Sequence, residues 1–159
     1  MNTQEYLEEL IGKARTAQKE FETYTQEKVD EAVRAIGKSV YDHAEELANL
    51  AVEETRMGRV DSKIAKCRNK AKSTWWRMKG KKSRGIIERD EKNGIVKVAK
   101  PIGVVGGITA SANAVINPMH NSMCALKCGN AVIICPHPRA KKVGVRTVEL
   151  MNEALDQLG

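Results

Sequence analysis

Lys100–Lys142 reads KPIGVVGGITASANAVINPMHNSMCALKCGNAVIICPHPRAKK. Two short apolar runs rich in β-branched residues, Ile102–Thr109 and Asn130–Cys135, bracket a stretch in which Met119, Met123, Ala125 and Leu126 suit a short amphipathic helix. The order is strand, polar turn, helix, strand. A Pro/His/Arg turn then opens a further helix over Arg139–Leu158, with Val143, Val148, Leu150, Met151 and Leu155 as its apolar positions. Two strands joined by a helix form a βαβ unit, normally a right-handed crossover in a parallel sheet. Ligands on such sheets bind beyond the carboxyl ends of the strands. Those ends carry Thr109, Ser111 and Asn113 after the first strand, and His137 and Arg139 after the second. Polar groups gathered there suit a nucleotide cofactor.

Outward from this unit the period changes. Gly85–Glu88 and Ile95–Ala99 are short β-branched runs separated by Asp90-Glu91-Lys92-Asn93-Gly94, and Asn-Gly between such runs signals a hairpin. Upstream the spacing is helical. Leu7, Leu10, Ile11, Ala14, Ala17, Phe21 and Tyr24 place a first helix over 3–24. Val29, Val33 and Ile36 place a second over 25–38. A third spans 42–55, with Asp42 read as its N-cap and Glu45 three residues on, and Met57-Gly58 as its stop. A fourth covers 62–79 and ends at Gly80. The expected class is α/β: a helical region (1–82), a hairpin (83–100), then the first βαβα of a parallel nucleotide-binding sheet (101–159). There is no internal repeat or low-complexity linker.

The length, 159 residues, is that of one domain. No apolar run approaches the roughly 18 residues of a membrane span. MNTQEYLEEL is acidic and lacks the apolar core of a signal peptide. Cys67, Cys124, Cys128 and Cys135 follow neither disulfide nor zinc spacing, which predicts no metal site and a reducing, cytoplasmic setting. The net charge of +7 concentrates in Lys63–Arg84, which holds ten Lys or Arg and the pair Trp75-Trp76. Alone, that segment reads either as a nucleic-acid contact with stacking tryptophans or as a solvated helix face with one or both tryptophans buried. No recognised nucleic-acid module surrounds it, so no nucleic-acid or membrane partner is expected.

The chain resembles the aldehyde dehydrogenase superfamily, and within it the CoA-acylating branch. The resemblance rests on Pro101, Gly103, Val104, Ile108, Thr109, Asn113, Gly129, Asn130 and the run Pro136-His137-Pro138-Arg139-Ala140. Upstream, Glu53-Glu54-Thr55-Arg56-Met57-Gly58 is similar to the family's Glu-Thr-Gly-x-Gly helix end, with Arg56 where Gly is usual. Hydrolytic members carry Lys-Pro-Ser-Glu where this chain has Cys135-Pro136-His137-Pro138. The classical G-x-G-x-x-G fingerprint is absent, since Gly103, Gly106 and Gly107 have the wrong spacing.

The resemblance implies a whole enzyme that converts a small aldehyde, CoA and NAD(P)⁺ into acyl-CoA and NAD(P)H through a cysteine thiohemiacetal. It implies that Asn113 donates to the developing oxyanion. Read from the residues alone, Asn113 is an N-cap of the following helix before it is an oxyanion donor. It further implies that Ile108, Thr109, Ala110, Ser111 and Asn113 line the nicotinamide dinucleotide, with His137 and Arg139 near its adenosine. Lys141 and Lys142 read as solvated charges or as phosphate contacts. Cys124, Cys128 and Cys135 read as small buried hydrophobes, and the nucleophile is expected downstream of Gly159. On this reading the chain is the N-terminal part of a longer, homo-oligomeric enzyme, with the hairpin in a subunit contact. The catalytic domain lies outside it, so no turnover by the chain alone is expected. A hydrolytic aldehyde dehydrogenase and a non-catalytic assembly module are the alternatives. Ala110, Ala112 and Ala114 stand where the family has Pro, Thr and Pro, which leaves the turn before Asn113 looser.

Overall fold

The computed structural model describes residues 2–159. Four helices come first: α1 (Thr3–Phe21), α2 (Gln26–Asp42), α3 (Ala44–Thr55) and α4 (Val60–Met78). A hairpin, β1 (Gly85–Asp90) and β2 (Ile95–Ala99), precedes the βαβα unit of β3 (Val104–Ile108), α5 (Ile116–Lys127), β4 (Ala131–Cys135) and α6 (Lys141–Asp156). β1 and β2 pair antiparallel, while β3 and β4 pair parallel from Val104↔Ala131 to Ile108↔Cys135. The fold class read from the sequence is the one observed.

Helix starts follow local chemistry. Asn2 accepts from the Glu5 amide (2.9 Å) and the Glu5 carboxylate accepts from the Asn2 amide (2.8 Å), a complete capping box for α1. Thr25 caps α2 through Lys28 N (3.3 Å). Its extended backbone ends α1 at Phe21 rather than at Tyr24. Asp42 does not cap the third helix. It closes α2 in an i,i+4 ion pair with Lys38, and α3 starts at Ala44 behind His43. Val40 and Ala44 are both fully buried, which keeps the chain turning on one face through the junction.

Two further boundaries move for a physical reason. The first parallel strand starts at Val104 rather than Ile102, because Gly103 sits at φ +115° and Ile102 is 85% exposed. Asn130 stands before β4, not in it. Its buried side chain accepts from the amides of Ile102 (2.7 Å) and Gly103 (3.0 Å), pinning the entry of one strand to that of the other. The last helix is preceded by a separate 3-10 turn, Pro138–Ala140.

The core centres on α2, whose Val29, Val33, Ile36 and Val40 are all buried and which packs against α4, α5 and α6. Leu47, Met119, Met123, Val143 and Leu150 complete it. α1 lies along β3 and β4, and its buried Gln18 donates to Gly129 O (3.1 Å). No helix among the described residues is long and apolar enough to cross a membrane.

Arg56 is the residue after α3 and adopts a left-handed conformation (φ 58°, ψ 25°), the only non-glycine to do so among the described residues. That is the helix-end geometry that favours glycine, and a Cβ there costs of order 1–2 kcal/mol. Arg56→Gly is expected to raise stability by about 0.5–1 kcal/mol, the unfolded-state entropy of glycine offsetting part of the relief. A denaturant midpoint shift upward at constant slope checks it.

Candidate functional site

The register Ile108↔Cys135 delivers two turns to the same edge of the sheet. Thr109 N donates to Cys135 O (3.0 Å), so the strands part only after these residues. Beyond them, Ser111–Asn113 forms one 3-10 turn and Pro138–Ala140 another, and the two turns touch. The sequence-predicted residues are thereby brought together on one ledge. Ile108 is 87% exposed and Ala110 is exposed, whereas Thr109 is buried. Ser111, Asn113 and His137 are half-buried, and Arg139 is exposed.

Asn113 does not cap α5. That helix has Val115 at its cap position and no side-chain cap bond. The Asn113 amide oxygen instead accepts from Lys66 Nζ of α4 at 2.9 Å. His137 Nδ1 accepts from Arg139 N (3.1 Å), which closes the second turn.

Two charged residues not singled out from the sequence reach this ledge. Glu54, near the end of α3, accepts from Lys142 N (2.8 Å) and Val143 N (2.9 Å) with its two carboxylate oxygens. α6 has no side-chain cap of its own, so Glu54 supplies one from another helix. A phosphate at that helix end would have to displace it. Lys66 is the second. Its neighbour Lys63 is buried, and burial together with the nearby Lys66 charge pulls the Lys63 ammonium below the ordinary lysine range. No carboxylate forms an ion pair with either lysine among the described residues. No periodicity links positions 54 and 142 or 66 and 113, which is why neither contact was legible.

The cysteines depart from expectation. Cys67 is buried, but Cys124, Cys128 and Cys135 are exposed. Cys124 and Cys128 lie one turn apart on the side of α5 turned from the core, and Cys135 ends β4 at the sheet edge. Burial pushes the Cys67 thiol up, and desolvation with Cys128 beside it pushes up Cys124, so neither is tuned toward thiolate. No cluster of His, Cys, Asp or Glu among the described residues could hold a metal. Trp75 is half-buried against the core while Trp76 is 59% exposed beneath the Lys79 ammonium. A hollow of about 550 Å³ lies between α1, α2, α6 and β4 and includes none of the ledge residues.

The aldehyde dehydrogenase family model matches residues 1–157. The succinate-semialdehyde dehydrogenase (acetylating) of Clostridium kluyveri is 50% identical over 159 residues, all of this chain and 35% of that protein. The acetylating aldehyde dehydrogenase of Geobacillus thermoglucosidasius superposes with a TM-score of 0.93 at 34% identity, over 98% of this chain and 34% of that one. The propionaldehyde dehydrogenase of Rhodopseudomonas palustris, solved with bound propionyl-CoA, superposes with a TM-score of 0.76 at 30% identity, over 94% of this chain and 33% of that one. The chain thus spans about a third of the length of these relatives.

Glu54→Ala removes the only side-chain cap of α6 and is expected to cost about 1–2 kcal/mol, read as a lower thermal midpoint. Lys63 gives a pH signature. Its folded-state pKa lies below its unfolded one, so the unfolded chain binds more protons and stability rises as pH climbs through the window between them. Lys63→Met should melt higher than the parent at neutral pH, and the gap should narrow toward about pH 10. A gap that stays constant over that range contradicts it.

Proposed function

Because the chain belongs to the aldehyde dehydrogenase family, we propose that it is the N-terminal, cofactor-side portion of a cytoplasmic CoA-acylating aldehyde dehydrogenase. The whole enzyme oxidises a small aldehyde to its acyl-CoA with NAD(P)⁺. The observation that carries this reading is the 50% identity to an acetylating enzyme across all 159 residues. The Pro136-His137-Pro138-Arg139 run at the end of β4, where hydrolytic members differ, points the same way.

The ledge fits a dinucleotide. Ile108 and Ala110 give an exposed apolar surface, the half-buried Ser111 borders it with a hydroxyl, the buried Thr109 lies behind it rather than on it, and His137 and the exposed Arg139 stand at the second turn. Arg139 is suited to a phosphate or ribose edge of NAD(P) or CoA. Glu54 already fills the start of α6, so that helix end would not hold a phosphate of the dinucleotide unless Glu54 gave way. When bound, the nicotinamide ring accepts the hydride and coenzyme A accepts the acyl group.

Asn113 performs the part of the chemistry that belongs to this chain. As a thiolate from elsewhere in the enzyme adds to the aldehyde carbonyl, the oxygen gains negative charge. With its amide oxygen held by Lys66, Asn113 keeps its Nδ2 hydrogens to donate to that carbonyl oxygen. A fixed donor aimed at a developing oxyanion lowers the barrier by about 3–4 kcal/mol.

The β1–β2 ribbon serves subunit association. Ile86, Ile87, Ile95, Val96 and Val98 are each 40% or more exposed, so the ribbon presents apolar side chains with no core to cover them.

In the complete enzyme, Asn113→Ala is expected to lower kcat by about 10²–10³-fold with little change in cofactor affinity. Reduced-cofactor absorbance with acetaldehyde or succinate semialdehyde should require CoA. Sustained turnover at the same rate without CoA would place the enzyme in the hydrolytic branch.

A further inference from the structure

We propose that Lys66 is the positioning residue that sets which end of the Asn113 amide faces the reacting carbonyl. This rests on the oxyanion role of Asn113 given above. A primary amide has two ends of opposite character: the oxygen accepts and the nitrogen donates. Its terminal torsion is broad, so the side chain itself does not choose between them. Lys66 makes that choice. Its ammonium carries donors and no acceptor, so it can hold only the amide oxygen, here at 2.9 Å. The Nδ2 end then has no hydrogen-bond partner among the described residues and is left to donate elsewhere.

Nothing else in the local structure does this work. The turn lacks proline at Ala110 and Ala114, so φ is not locked on either side of Asn113. Asn113 is not engaged as a helix cap. Lys66, by contrast, is anchored on a long helix. Its neighbours Lys63 and Cys67 are buried, and α4 packs against α2, α3 and α5. No carboxylate competes for the Lys66 ammonium among the described residues. The positive charge on the amide oxygen also polarises the N–H bonds on the far side, because linked hydrogen bonds strengthen one another. Lys66 touches no reacting atom; it acts through Asn113.

The test is a double-mutant cycle in the complete enzyme, with Lys66→Met, Asn113→Ala and the pair. Lys66→Met is expected to lower kcat by at least tenfold while the KM for aldehyde and for NAD⁺ stays within about threefold. In the Asn113→Ala background the same substitution should cost less than threefold, because the group it positions is gone. An equal loss in both backgrounds overturns the proposal, since Lys66 would then act on something other than Asn113. So does a loss under threefold in the parent when Asn113→Ala alone is severe, an outcome that leaves the oxyanion role standing. If Asn113→Ala itself costs less than threefold, the oxyanion reading fails and this inference with it. Thermal melts confirm folding, and if Lys66→Met does not fold, Lys66→Leu, which likewise lacks a donor, carries the same comparison.

Discussion

The buried stripe on α2 is the constraint from which the remaining geometry follows. Val29, Val33, Ile36 and Val40 recur at helical spacing and are sealed by three other helices at once. Gly37 sits among them. A Cβ there would stand 3.0 Å from the Met123 methyl of α5 and 4.0 Å from Ala71 O of α4, so the absence of a side chain sets how closely those helices approach. Two turns earlier Asp30 accepts from Lys127 at the far end of α5, a nearly buried ion pair. Ser39 donates to Leu150 O of α6 at 2.8 Å. Breaking either buried contact leaves an uncompensated polar group in the core. α4, α5 and α6 are therefore fixed relative to one another through α2, although few of their contacts are direct.

That fixing also sets the contacts at the ledge. Asn113 precedes α5, Lys66 lies on α4, and the Glu54-capped end of α6 follows the second strand turn. A positioning contact of 2.9 Å is useful only if the two backbones keep their separation to within a few tenths of an ångström. Packed aliphatic side chains supply that rigidity better than the loops that carry the polar groups. The loops supply exposure and the helices beneath them supply placement.

What the sequence disclosed divides along the same line. Every helix and strand was legible, because apolar periodicity over a dozen residues and Asn-Gly punctuation are local signals. So was the gathering of Asn113 and His137-Arg139 at one edge, which follows from parallel pairing alone. The α2–α3 junction was misplaced because Asp42 satisfies two local rules, N-cap and i,i+4 partner, and only the burial of Val40 and Ala44 decides between them. Lys66 was hidden in a run of ten basic residues whose bulk is solvated. Nothing in spacing distinguishes the lysine that turns toward Asn113 from its neighbours. The cysteines were misread because apolar company in sequence does not fix which side of a helix or edge of a sheet a residue occupies.

β3 and β4 show where local completeness ends. Each is paired on one edge only, and their apolar residues are at most half-buried apart from Gly107. Strands this apolar are suited to the interior of a wider parallel sheet covered on both faces. Here α1 covers them, with α5 crossing between, and the Asn130 clamp holds their entry points. The carboxyl ends carry contacts of their own, with Thr109 N donating to Cys135 O at 3.0 Å. Asn113 is already turned, and α6 is already capped, by residues of this chain. The side chains and backbone of the ledge are thus held by helices packed behind the sheet. If the proposed oxyanion role of Asn113 holds, that placement is the kind of preorganisation that spares reorientation at the moment of reaction.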